Sequence, residues 1–282
     1  MYLSIKTVLT ILPVLVSAVS PPTLKGFRVI WSDEFWGGSG DAVNSNNWNT
    51  ITNLNTNNDI QKYKNERSNL QLSGGGTLQL VPWRSSSGEW TSARIESKEA
   101  WTPAPGKVTK AQGRIRFGDN PASQKQGMWP AFWLLGDSIR TGTDWPLCGE
   151  IDIMETVNGL STGYGTVHCG QYPGGVCNEP LGRGSPVTLP DYDWHTWTVE
   201  WNRSSRNWQS ETITWYLDGN QFYQLSGNTL GDQGIWSTLA HSPMYFILNI
   251  AIGGNWPGNP NDQTADGYDS MMEVAYVAVY QN

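Results

Sequence analysis

The sequence predicts an all-β fold, an antiparallel sandwich or barrel, on three observations. Bulky and polar residues alternate with a period of two in short runs set between turn residues, as in His195-Thr-Trp197-Thr-Val199-Glu-Trp201. Helical periodicity is nearly absent, with one short turn offered by Gln233 to Ala240. Only 15% of the 282 residues are charged, while Gly (31) and Pro (16) are plentiful; an average domain carries roughly 25% charged residues. The last point argues against coiled coils and helical bundles. The 38% of hydrophobic residues suffices for a core, which argues against disorder.

Taken in chain order, the first element is a leader. Residues 1–20 read as a signal peptide: Lys6 gives a positive n-region, Thr7 to Val16 is apolar, and Val16-Ser17-Ala18 offers small residues for cleavage. The alternative is a membrane-anchored N-terminus, although the apolar run is too short to span a bilayer. No later segment reaches about 18 apolar residues, so the expected product is secreted, extracellular and free of a membrane span. Residues 21–282 contain no internal repeat and no linker, and one domain is expected there. Its strands are expected at Leu78 to Val81, Gly113 to Phe117, Ala131 to Leu135, Gly165 to Cys169, His195 to Trp201 and Ile213 to Leu217. An Asp218-Gly219 hairpin turn leads into Gln221 to Leu225, and Tyr245 to Ile252 and Met272 to Tyr280 complete the set.

Three cysteines, Cys148, Cys169 and Cys177, leave one unpaired in an oxidising compartment. Cys169 and Cys177 bracket the turn-rich Gly170-Gln-Tyr-Pro-Gly-Gly-Val176, which favours a local staple between them. The three histidines (His168, His195, His241) are scattered and no CxxC or HExxH spacing occurs, so no metal centre is expected. Asn202-Arg203-Ser204 is a glycosylation sequon at an expected turn. The net charge of -7 with no basic stripe excludes nucleic acid as the partner, because phosphate binding needs clustered Lys and Arg. Tryptophan, at 16 residues against 11 Tyr and 6 Phe, exceeds what a core asks for. A neutral, hydroxyl-rich ligand fits these facts, and nothing in the chain points beyond a monomer.

The densest chemistry is Gly149-Glu150-Ile-Asp152-Ile-Met-Glu155. On a regular strand Glu150 and Asp152 share a face and Glu155 points to the other. One extra residue at Ile153-Met154, a β-bulge, returns Glu155 to the first face, and all three acids then look into one groove. A low-dielectric wall of Trp would hold one carboxyl protonated near neutrality while a neighbour stays ionised. Glycoside hydrolysis needs that split: an acid to protonate the leaving oxygen and a carboxylate to attack or to activate water. Side chains from one short strand can meet at about 5 to 5.5 Å, the separation of a retaining enzyme. On spacing alone the triplet also fits a solvated strand face or a calcium site.

These residues resemble the ExDxxE signature of glycoside hydrolase family 16, in the bulged form of laminarinase-like members. Other blocks agree in order: Trp31-Ser-Asp-Glu-Phe35, Ser92-Ala-Arg94-Ile-Glu-Ser-Lys98, Gly127-Met-Trp129-Pro-Ala-Phe-Trp133-Leu-Leu-Gly136, Gly165-Thr-Val-His168, Trp215-Tyr-Leu-Asp-Gly219, Leu248-Asn-Ile-Ala-Ile-Gly-Gly-Asn-Trp256 and the terminal Val274 to Gln281. The resemblance runs from about residue 27 to the end. It implies a concanavalin-like β-jelly-roll of two curved antiparallel sheets with a concave substrate cleft. It also implies Glu150 as nucleophile, Glu155 as acid then base, Asp152 between them as the assisting group, and His168 in support on the next strand. Trp129, Trp133, Trp145 and Trp256, with Arg94 and Asn58, resemble substrate-binding positions; the Glu usual after Asn58 is Asp59 here. Within Trp129-Pro-Ala-Phe-Trp133 alternate positions face opposite ways, so Trp129 and Trp133 share one face and some neighbouring rings must be core.

The expectation is a secreted, endo-acting, retaining hydrolase of β-1,3-glucan, extending to mixed-linkage β-1,3-1,4-glucan. Alternatives are an endo-β-1,3-galactanase or other galactan hydrolase, a transglycosylase (which usually carries the unbulged motif), and a glucan-binding lectin (which usually lacks a catalytic glutamate). No cofactor is expected. Many family members bind calcium through an Asp in the final strand where this chain has Ala275, and a hard cation there has one strong oxygen ligand fewer. Millimolar calcium is therefore expected to leave the melting temperature unchanged; a rise of several degrees in a calcium titration would show the inference wrong.

Overall fold

The computed structural model describes residues 19–282, so residues 1–18 of the expected leader lie outside the described residues. In chain order the strands are β1 (Arg28–Asp33), β2 (Trp48–Thr50), β3 (Lys62–Tyr63), β4 (Leu70–Leu72), β5 (Leu78–Leu80), β6 (Trp83–Arg84), β7 (Trp90–Ser92), β8 (Arg94–Ser97) and β9 (Val108–Phe117). They continue as β10 (Met128–Gly136), β11 (Glu150–Glu155), β12 (Thr162–His168), β13 (Arg183–Thr188), β14 (His195–Asn202), β15 (Thr212–Leu217), β16 (Asn220–Ser226), β17 (Met244–Ile252) and β18 (Met272–Gln281). Two short helices, α1 (Gly227–Leu230) and α2 (Gln233–Ala240), lie between β16 and β17. Among the described residues no helix is long and apolar enough to cross a membrane.

Two antiparallel sheets face each other. One runs β16-β15-β14-β9-β18-β5-β4, with β1 also paired to β18; the other runs β13-β12-β11-β10-β17-β8-β2. Sequence neighbours do not always pair: β9 lies between β14 and β18, and β10 between β11 and β17. Strands expected from alternation are present, and several are longer than expected. The strand containing Gly113 to Phe117 starts back at Val108, where Thr109, Lys110 and Gln112 blur the pattern; ladders to both β14 and β18 hold this stretch extended. Gln233 to Ala240 is a full α-helix and more than the single turn expected. The Asp232 carboxylate accepts from the Ile235 N–H, and Trp236, Leu239 and Ala240 give the helix a buried face.

The core fills the space between the sheets. Phe132, Ile151, Ile153, Val167, Phe246 and Leu248 meet Ile115, Trp197, Val199, Trp215, Val274 and Val277. A second aromatic group, Trp31, Trp48, Trp101 and Phe246, packs with ring centroids 4.7–5.9 Å apart. Much of the tryptophan excess is thus structural. Close approach is made possible by Gly163 and Gly165 on β12: a Cβ at either would lie 2.4 Å from the ring of Trp197 or Trp215 respectively. Trp215 also donates its indole N–H to the Asp152 carbonyl at 2.8 Å, tying the eight-stranded sheet to the strand that bears the acids.

Ala275 sits at a bulge in β18, between Val274 and Tyr276. It packs with Tyr276, Ala278 and Tyr280 under Leu24, Phe27 and Trp194. Cys169 and Cys177 are bonded as expected, and Cys148 is a buried free thiol. Asn202 is the last residue of β14 and precedes the turn; its side-chain oxygen accepts from the Ser204 N–H and hydroxyl.

Gly165→Ala inserts a methyl group where the Trp215 ring already sits, and overpacking of this kind costs about 1–3 kcal/mol. A lowered urea midpoint with an unchanged slope is the expected outcome, measured by equilibrium unfolding.

Candidate active site

The register of β11 decides where its acids point. Against β10, Asp152 faces Trp133 and Met154 faces Phe132, so Ile153 has no partner. Against β12, Asp152 faces Thr166 and Glu155 faces Tyr164, so Ile153 and Met154 together oppose Gly165. The extra residue is the expected bulge, and it sends both Ile153 and Met154 into the core. Glu150, Asp152 and Glu155 consequently line one cleft of about 370 Å³ on the outer face of the seven-stranded sheet.

Three rows of residues cross the sheet beneath that cleft. Tyr164, Glu155, Ala131, Asn249 and Arg94 form one; Thr166, Asp152, Trp133 and Ile247 the next; His168, Glu150, Leu135 and Tyr245 the third. Trp129 and Trp133 share the cleft face, while Phe132 and Leu134 between and beyond them are core. The indole of Trp129 donates to Glu155 Oε1 at 2.8 Å. That of Trp133 donates to Asn249 Oδ1 at 2.8 Å, and the Asn249 amide donates to the Tyr63 hydroxyl at 3.3 Å. Arg94 pairs with Glu96 at 2.7 Å and lays its guanidinium 5.0 Å from the centre of the Trp133 ring. Trp145, 38% exposed, lines the other end of the cleft, with its ring 5.7 Å from that of His168.

Two expected substrate contacts stand beside the cleft and are absent from its lining. Asn58 lies between Asn57 and Asp59, which do line it, and turns its own amide to Asn255 Oδ1 at 2.7 Å. Trp256 stands edge-on to Trp129 and Tyr164, at 5.3 and 5.1 Å, and is 42% exposed. Three site residues were not expected from the sequence: Asn249, Tyr63 and Glu179. A single amide inside the apolar run Met244–Ile252 was a readable signal for Asn249. Tyr63 and Glu179 come from a two-residue strand and a loop, with no periodic pattern around them.

Burial raises all three acids, and their neighbours sort them. Asp152 is pushed well above the carboxylate range by burial and then by Glu155, Glu150 and Glu179; its Oδ2 has no hydrogen-bond partner among the described residues. Glu155 is raised by burial, partly relieved by the Trp129 hydrogen bond and the His168 charge, and settles at about 7. Glu150 is raised by burial and by the Glu179 charge, while His168, Arg94 and a hydrogen bond with Trp145 draw it back down. Burial alone would lower His168, but the hydrogen bond to Glu179 and the charges of Glu150, Glu179 and Glu155 carry it up to about 9. The imidazolium therefore stands among carboxylates that it partly neutralises, with Nε2 3.6 Å from Asp152 Oδ2, beyond hydrogen-bond reach. Donor atoms of Glu150, Asp152 and His168 all lie within 4.8 Å of one another. A metal ion there would have to displace the His168 proton, so its binding would compete with protonation.

A β-sandwich with two buried glutamates, each approached by different partners, in an aromatic-walled cleft is the arrangement on which glycoside hydrolysis is built. The model of glycosyl hydrolases family 16 matches residues 44–277, and the chain belongs to that family, a family of jelly-roll folds. It is 29% identical, over 92% of its length, to glucan endo-1,3-beta-glucosidase A1 of Niallia circulans, of which it spans 39%. It is 30% identical, over 90% of its length, to the beta-glucanase of Rhodothermus marinus, of which it spans 85%. Its fold matches the crystal structure of an endo-1,3-beta-glucanase from Streptomyces sioyaensis with a TM-score of 0.88 and 33% identity, over 93% of this chain and 99% of that one.

A carboxyl raised in the fold contributes stability that is complete below its unfolded value and is lost as pH rises through its folded value. For Glu155 that interval runs from 4.5 to about 7. Relative to Glu155→Gln, the wild type is expected to lose a few degrees of melting temperature across it and little more above, measured by calorimetry in a pH series.

Proposed function

We propose that the protein is a secreted, endo-acting hydrolase of β-1,3-glucan that retains anomeric configuration. The observation that carries the reading is the bulged strand, which puts a glutamate near pH 7 and a second glutamate on one cleft floor. Glu155, protonated, gives its proton to the glycosidic oxygen as the Glu150 carboxylate attacks the anomeric carbon. The C–O bond breaks, one half of the chain leaves, and a glycosyl ester to Glu150 remains. Water then attacks the same carbon while Glu155, now a base, takes its proton, and the ester bond to Glu150 breaks. Asp152, raised by burial and by the two glutamates beside it, resists adding a third negative charge while the nucleophile is ionised.

Endo action is supported by the position of the acids along the cleft. Trp129 and Ala251 line it beyond Glu155, and Ile139 and Trp145 line it beyond Glu150, so polymer can extend both ways. Pyranose rings present C–H faces to Trp129, Trp133 and Trp145, and their hydroxyl edges meet Arg94 and Asn249. The names of the relatives from Niallia circulans and Streptomyces sioyaensis support β-1,3-glucan as substrate. Secretion is supported by the Cys169–Cys177 disulfide, a bond that persists in oxidising compartments.

A reducing-end assay on laminarin, barley mixed-linkage glucan, β-1,3-galactan and agarose in parallel tests the reading. The wild type is expected to act on laminarin, and Glu155→Ala to lose about 10²- to 10⁴-fold in rate, with Glu150→Ala at the blank. Normal hydrolysis by either variant would remove the mechanism; activity on galactan alone would remove the substrate.

A further inference from the structure

The loop between β12 and β13 buries a fourth carboxylate behind the site. The Glu179 side chain is fully buried. One oxygen accepts from the Cys169 N–H at 2.7 Å and the other meets His168 Nδ1 at 2.8 Å. The loop is built to hold it: the Cys169–Cys177 bond closes the loop, and Gly174 and Glu179 exchange backbone hydrogen bonds at 2.7 and 2.8 Å across it. Its only ion-pair partner among the described residues is His168.

Resting on the glycosidase reading above, we propose that Glu179 is a positioning residue that acts through His168. It anchors Nδ1 and keeps the ring protonated, so that a fixed cation faces the three cleft acids. A carboxylate buried without a cation costs far more than a paired one, so Glu179 and the His168 proton support each other. The groups facing His168 are Glu150, Asp152 and Glu155 from β11 and Glu179 from the loop; Arg183 on the adjoining β13 is engaged by the Thr229 carbonyl. His168 lowers both Glu150 and Glu155. Glu179 thereby sustains the cation that lowers Glu150 and Glu155, and the acid/base titrates near neutrality beside it. In the imidazolium both nitrogens carry a proton: Nδ1–H donates to Glu179, and Nε2 lies 3.6 Å from Asp152 Oδ2.

The test is Glu179→Gln, an isosteric change that keeps an acceptor for the Cys169 N–H and removes the charge. Histidine-selective NMR should show His168 of the wild type protonated on both nitrogens at pH 8, and its titration in the variant shifted down by about one unit or more. With the cation lost near neutrality, the alkaline limb of kcat/KM on laminarin should move to higher pH. The fall should lie in kcat, about tenfold, with KM within about twofold. A variant that is merely less stable, with wild-type His168 titration and limb, would overturn the proposal. If the variant does not fold, the wild-type spectrum decides alone: a neutral His168 ring at pH 8 overturns it. Failure of the glycosidase reading is seen separately, as wild-type inactivity on every glycan of the panel.

Discussion

One unpaired residue, Ile153, governs the site. With regular alternation Glu155 would enter the apolar space between the sheets and Met154 would face the cleft, because a one-residue change of register exchanges the two faces of a strand. The bulge avoids both costs at once: Ile153 and Met154 turn into the core together, and Glu155 joins Glu150 and Asp152 outside. The distortion is held from three directions. Phe132 and Trp133 of β10 pair on either side of it, Gly165 of β12 lies opposite, and Trp215 grips the Asp152 carbonyl from the other sheet. Gly165 serves twice, as the partner across the bulge and as the space into which the Trp215 ring fits.

Concentrating carboxylates on one strand raises an electrostatic problem, and its solution sets the chemistry. Burial raises all three acids. The Trp129 N–H, Arg94 and the His168 imidazolium each return part of the lost solvation, to different acids in different amounts. Asp152 is raised well above the carboxylate range by burial and its acidic neighbours, while the charges of His168 and Arg94 draw Glu150 back down. The difference among the three acids follows from which neighbours approach each of them.

Much of this was legible in the linear chain. The spacing Glu150-Ile-Asp152-Ile-Met-Glu155 specifies the bulge, because only an inserted residue lets three acids share a face without burying the third. Parity likewise separated Trp129 and Trp133 from Phe132, and the turn residues between Cys169 and Cys177 pointed to a local disulfide. Trp197 and Trp215, in plainly alternating strands, are core. Asn58 and Trp256 were less readable, since they lie in irregular segments where no period says which way a side chain turns. The length of β9 was misjudged for a related reason: pairing on both sides overrides a weak local pattern.

By itself the sequence determined the fold class and the face on which the acids lie, because these depend on period-two alternation and on local spacing. Tertiary structure alone decided the environment of those acids. Glu179, Asn249 and Tyr63 reach the site from segments far from β11 in sequence or from a folded loop, and a pKa depends on distances and burial that no local pattern encodes. The tryptophan excess divides along the same line. Its amount is a property of the composition, while the division between rings that pack, such as Trp48 and Trp236, and rings that line the cleft is settled only when the sheets meet.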